Sequence, residues 1–133
     1  MIQFHLDSTS GVPAYLQIVQ QVRQAISLGV LRPGDQLPTI KEVVGSLAIN
    51  PNTVVKAYRE LDLAGILDAR RGQGTFVSED VEGSPSPDHD YAPLRAELVK
   101  WLSRARGAGL DDEAIRALVA STLRTELSVR AVA

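Results

Sequence analysis

Residues 39–77, TIKEVVGSLAINPNTVVKAYRELDLAGILDARRGQGTFV, constrain this chain more than any other stretch, because start, stop and turn signals follow one another there at fixed spacing. Thr39-Ile40-Lys41-Glu42 has the S/T-x-x-E spacing of a capping box, so a helix starts at Thr39 just after the break at Pro38. Val43, Val44 and Leu47 give it one apolar face. It must end by Ala48-Ile49, because Asn50-Pro51 sets an N-cap residue beside a proline suited to the first helical position. In the second helix Val54, Ala57, Tyr58 and Leu61 follow the i, i+3, i+4, i+7 rule, with Leu63 closing the stripe and Gly65 stopping the helix.

Only about three residues separate the two helices, the spacing of a helix-turn-helix whose second helix offers its N-terminal residues to a major groove. Asn52, Val55, Lys56 and Arg59 then face outward. Asn52 has the chemistry for a bidentate contact to adenine and Thr53 for a base edge or a phosphate, while Lys56 and Arg59 lie further along the helix, where a DNA backbone passes. Residues 66–70 and 75–77 read as two strands joined through Arg71-Gly72-Gln73-Gly74, a wing with a basic, glycine-permissive tip. The expected fold is mainly α with a small β wing: a winged helix-turn-helix domain over residues 1–78, a linker over 79–92 and a two-helix dimerisation hairpin over 93–130.

These residues resemble the winged helix-turn-helix domain of the GntR family of bacterial transcription regulators, from about Pro13 to Val77. The carriers are Pro33-Gly34, Leu37-Pro38-Thr39, Lys41, Val43-Val44, Leu47, Ile49-Asn50-Pro51, Thr53-Val54, Ala57, Leu61, Gly65 and residues 72–77, GQGTFV. Residues 50–61, NPNTVVKAYREL, are similar to the YtrA subfamily, whose members carry a short helical dimerisation tail in place of a large effector domain. The resemblance implies a DNA-binding regulator, with neighbouring transport genes as targets and a surface made of Thr39, Lys41, Asn50, Asn52, Thr53, Lys56, Arg59, Arg70, Arg71, Gly72 and Gln73. Many relatives have arginine where Lys41, Pro51 and Val55 stand. Two of those three cations are lost here, so Asn50, Asn52 and Thr53, or the shape of the DNA, must do more of the reading. Ala48 occupies a turn position often held by glycine and carries modest strain if its φ is positive.

The net charge of −2 sits badly with a DNA binder until the chain is divided. Residues 1–78 hold seven Lys/Arg against six Asp/Glu, an excess of one positive charge, whereas residues 79–133 hold seven against ten, an excess of three negative charges. Five of the seven N-terminal cations (Lys41, Lys56, Arg59, Arg70 and Arg71) belong to the reading surface. A phosphate backbone feels that local arrangement within a Debye length of ~8 Å. Cysteine is absent, which removes disulfides and thiolate metal sites and fits a reducing cytosol. No apolar run reaches membrane-span length and the N-terminus lacks a signal-sequence pattern, so a cytoplasmic protein, nucleoid-associated when bound, is expected.

Elsewhere, Ile2, Phe4 and Leu6 alternate with polar residues as a weak strand or extended arm. A supporting helix after Pro13 carries Leu16, Ile18, Val19, Val22, Ala25, Ile26 and Leu28. Tyr15 is favoured as rim packing over a phosphate contact, and Gln36-Leu37 adds a short strand beside the wing. Residues 78–92 lack periodicity and read as an extended linker. Leu94, Leu98, Trp101, Leu102 and Ala105 line one helix, and Ile115, Leu118, Val119, Thr122, Leu123 and Leu127 line the next, which Asp111 caps. Two helices this small cannot bury both stripes alone. The expected dimer surface is therefore Leu94, Leu98, Trp101, Leu102, Ile115, Leu118, Val119 and Leu123.

No nucleophile, base and orienting group recur together, so no enzyme is expected, and no cofactor or metal. Asp88-His89-Asp90 reads as solvated loop, Gly72-Gln73-Gly74 as a hairpin turn with no lysine or following helix for a nucleotide, and His5 stands alone. The expected partners are double-stranded DNA and a second copy of the chain, with no membrane and the effector unknown. The expected function is a sequence-specific regulator, a repressor on a palindromic operator. The alternative is a winged-helix adaptor docking through its helical tail. A detached head of a longer regulator is disfavoured, because the chain runs on into its own helical tail.

Overall fold

The computed structural model describes the backbone of residues 2–85 and 91–132 and the side chains of 2–85 and 91–128. Helix α1 (Ala14–Ser27) follows Pro13 and buries Gln17, Ile18, Val19, Val22, Ala25 and Ile26. Helix α2 (Ile40–Leu47) begins on the expected capping box and ends at Ala48, whose φ of 53° places a non-glycine residue in the left-handed region. Helix α3 (Pro51–Leu63) begins on Asn50, and the wing is an antiparallel pair, β1 (Leu67–Arg70) with β2 (Gly74–Val77), in which Leu67 faces Val77 and Arg70 faces Gly74. Helices α4 (Ala92–Gly107) and α5 (Asp112–Val132) complete the chain. The chain divides into two compact units, Met1–His89 and Asp90–Ala133.

In the first unit α1, α3 and the wing close over one core in which Ile18, Val22, Val54, Ala57, Leu61 and Val77 have no exposed surface. The C-terminus of α3 shows how local and tertiary signals agree. Gly65 takes a φ of 77°, its N–H donates to the Asp62 carbonyl, and the Ile66 N–H donates to the Leu61 carbonyl at 3.0 Å, a Schellman motif that turns the chain into β1. Leu63 does not extend the stripe of α3. Two residues beyond Leu61 is roughly 200° around a helix, and Leu63 is 84% exposed. Leu28 likewise falls outside the core, as the C-cap of α1.

The N-terminal segment is an arm, not a strand, and α1 side chains partner its backbone. The Gln21 amide accepts from the His5 N–H and donates to the His5 carbonyl, and the Gln17 amide does the same at Asp7 while also donating to Ser10 and Val12. Phe4 is thereby held in the core. Gln36-Leu37 joins the wing as expected: Gln36 bridges Phe76, the Leu37 N–H donates to the Thr75 carbonyl, and the Val77 N–H donates to the Asp35 carbonyl. The stretch read as linker is in part docked. Ser78 donates its N–H to the Ile66 carbonyl, Val81 packs on the core and Pro85 lies against Gly29. Ala92 belongs to α4, and Asp88-His89-Asp90 lies outside the described residues. No helix among the described residues is long and apolar enough to cross a membrane.

Candidate nucleic-acid interface

Helix α3 separates its two faces cleanly. Val54, Ala57, Tyr58 and Leu61 are buried, Asn52, Lys56 and Arg59 are exposed, and Thr53 and Val55 are half-buried. The start of the helix is set by Asn50, whose Oδ1 accepts from the Asn52 N–H at 2.9 Å, with Pro51 in the first turn. That bond commits the Asn50 oxygen to the cap and leaves the Asn52 side chain as the first long polar group on the exposed face. Thr39 is similarly engaged: its hydroxyl accepts from the Glu42 N–H at 3.1 Å and donates to Glu42 Oε1 at 3.0 Å. Lys41 stands exposed on the first turn of α2.

The two helices are locked by a bond that residue spacing did not reveal. The buried Tyr58 hydroxyl donates to the Pro38 carbonyl at 2.7 Å, tying the middle of α3 to the residue just ahead of the α2 cap. Burial, reinforced by the negative charge of Glu42, pushes this hydroxyl far above the usual tyrosine range, so it stays a donor. The only sign in the sequence was a tyrosine among the apolar positions of a helix, whose hydroxyl needs a partner once buried.

At the wing tip the Gln73 N–H closes the turn on the Arg70 carbonyl, and Gln36 Nε2 donates to the Gln73 carbonyl at 3.3 Å. Gly74 has a φ of 122°, which favours glycine, and a Cβ there would lie 2.8 Å from Gln36 Nε2, so a side chain at this position would also push the Gln36 amide aside. The two wing arginines differ. Arg70 is drawn back onto the wing, 3.4 Å from Asp68 and stacked 4.3 Å from the Phe76 ring centroid. Arg71, Gly72 and Gln73 are exposed at the tip. Among the described residues none of Lys41, Lys56, Arg59 and Arg71 pairs with a carboxylate. Lys56 instead lies over Tyr15, 3.9 Å from the ring centroid.

The residues expected to dimerise lie in the second unit. The turn between α4 and α5 is a Schellman motif, with the Leu110 N–H donating to the Ala105 carbonyl, and Asp111 caps α5 by accepting from the Ala114 N–H at 2.8 Å. Ala105 and Ile115, beside this turn, are buried. Trp101 and Leu102 are half-buried, while Leu94, Leu98, Leu118, Val119 and Leu123 are exposed.

A three-helix core, a short helix-helix turn and a two-stranded wing with an open basic tip define a winged helix-turn-helix protein of the DNA-binding class. The chain belongs to the GntR family: the family described as "Bacterial regulatory proteins, gntR family" matches residues 14–77. It is 44% identical over 113 residues, 85% of each chain, to the HTH-type transcriptional repressor YtrA of Bacillus subtilis. Among solved structures it resembles a GntR family transcriptional regulator from Listeria monocytogenes, with 30% identity, a TM-score of 0.54 and coverage of 87% of this chain and 98% of that one. It also resembles YtrA from Sulfolobus acidocaldarius, described as a GntR-family transcription factor, with 30% identity, a TM-score of 0.53 and coverage of 75% and 97%. The family is one of bacterial regulatory proteins, and the relatives this chain is similar to are transcription regulators.

Proposed function

We propose that this protein is a sequence-specific repressor that occupies a palindromic operator as a homodimer in the cytoplasm. Residues 1–78 bind DNA, 79–92 connect, and 93–130 hold two copies together. The observation that carries this reading is the exposed face of α3, where Asn52, Lys56 and Arg59 stand opposite the buried stripe and, among the described residues, no carboxylate pairs with either cation. Asn52 and Thr53 read base edges, Lys41, Lys56 and Arg59 meet phosphates, and Arg71-Gly72-Gln73 carries the wing to the flanking backbone or minor groove. Arg70 contributes as a clamp on the wing, and Asn50 and Thr39 contribute through their caps. The exposed leucines of α4 and α5 support the homodimer, and the repressor named among the relatives supports the sense of regulation.

Selection of duplexes from a random pool, with stoichiometry measured on the winner, tests the reading. Two chains on two symmetry-related half-sites are expected, and Asn52→Ala should lose ~1–3 kcal/mol per half-site on the selected duplex and much less on a scrambled one. One chain on a single half-site would overturn the homodimer. Equal losses on both duplexes would remove Asn52 from base reading, and a pool with no enrichment would leave the adaptor reading in its place.

A further inference from the structure

Tyr15 sits in the first turn of α1 and Lys56 in the second turn of α3, two helices that share the central core. The ring is half-buried and so held by its surroundings, while the lysine is exposed and its ammonium nitrogen lies 3.9 Å from the ring centroid. A lysine stem free in water samples many rotamers, and ordering it opposes any contact it makes. An aromatic face attracts the ammonium through its quadrupole and restricts that sampling without neutralising the charge, as a carboxylate partner would. Among the described residues Lys56 has no such carboxylate. Lys56 is one turn beyond Asn52 on the same exposed face, and its tether lies on α1, so the charge is kept to the α1 side of the reading helix.

We propose that Tyr15 is a positioning residue of the DNA interface, whose ring holds the Lys56 ammonium in place for a backbone phosphate beside the groove that α3 enters. This rests on the DNA-binding reading above. It assigns work to a residue of the supporting helix, outside the helix-turn-helix and the wing. The competing account is that the ring covers the lysine stem as ordinary surface packing, with no consequence for DNA.

A double-mutant cycle on the full chain separates the two, using the duplex selected from the random pool and a scrambled duplex over a range of salt. Lys56→Gln should weaken both duplexes and lower the salt slope by about one unit per subunit. Tyr15→Leu should weaken both duplexes by about two- to fivefold per half-site, and should cost nothing further once Lys56→Gln is present. Tyr15→Phe keeps the ring and should retain most of the affinity. In the free protein the ε-methylene protons of Lys56 should be shifted upfield by the ring current, a readout that requires no variant to fold. Equal cost of Tyr15→Leu with and without Lys56, loss in Tyr15→Phe as large as in Tyr15→Leu, or an unshifted Lys56 resonance would each overturn the proposal while leaving DNA binding intact. Failure of the wild-type chain to bind any duplex would overturn the DNA-binding reading and this proposal with it.

Discussion

The winged unit and the helical hairpin draw on the same apolar residue types and treat them oppositely. In the first, Ile18, Val22, Val54 and Leu61 are wholly buried, whereas in the second Leu94, Leu98, Leu123 and Leu127 are each more than half exposed. Three helices and a wing enclose a volume; among the described residues of the two helices joined by a turn, the buried ones are Ala105 and Ile115 beside that turn. Closing a core requires apolar faces on opposing sides, and a helical pair without a further layer leaves one side open. The lesson is that a regular amphipathic pattern marks a face to be covered without saying whether the same chain covers it. Stability of the winged unit is therefore a property of the single chain, and that of the hairpin is linked to whatever binds its open face.

The largest effect should come from cutting into the closed core. Leu61→Ala leaves a cavity at a site with no exposed surface and should cost ~2–5 kcal/mol in denaturant unfolding. The loss should not depend on protein concentration, and a concentration-dependent loss would mean that the core of the winged unit is also completed by a second copy. Next is the lock between the helices: Tyr58→Phe leaves the Pro38 carbonyl without its donor and should cost ~1–3 kcal/mol. A cost near zero would show that water replaces the hydroxyl and that the lock is looser than its geometry.

Asn50→Ala removes a cap that is local to α3 and should cost ~0.5–2 kcal/mol in thermal unfolding without DNA. The smallest effect on the winged unit should come from the hairpin. Leu98→Ala trims a side chain already 51% exposed and should change unfolding of the winged unit by less than ~0.5 kcal/mol. The same variant should weaken self-association in sedimentation equilibrium, most sharply when combined with Leu123→Ala. Unchanged association would break the comparison, because the open face would then have no part in pairing.

Local signals in the sequence determined much of this protein. The Thr39–Glu42 box, the Asn50-Pro51 start of α3, the left-handed Ala48 and the glycine-tipped wing all depend on residues within a few positions of one another, so their bonds form wherever that stretch is placed. The exposed polar face of α3 follows from the same periodicity. What only the tertiary structure decided lies between residues distant in the chain. Gln36 reaches Gln73 across 37 positions, Tyr58 reaches Pro38 across 20, and Gln21 reaches His5 across 16. Lys56 meets Tyr15 only because α1 and α3 pack together, and Arg70 lies over the Phe76 ring because strand pairing brings that ring within reach. Caps and turns are short-range chemistry that a few residues specify completely, whereas a side chain's partner across the fold is chosen by the packing of whole elements, which no single spacing in the sequence encodes.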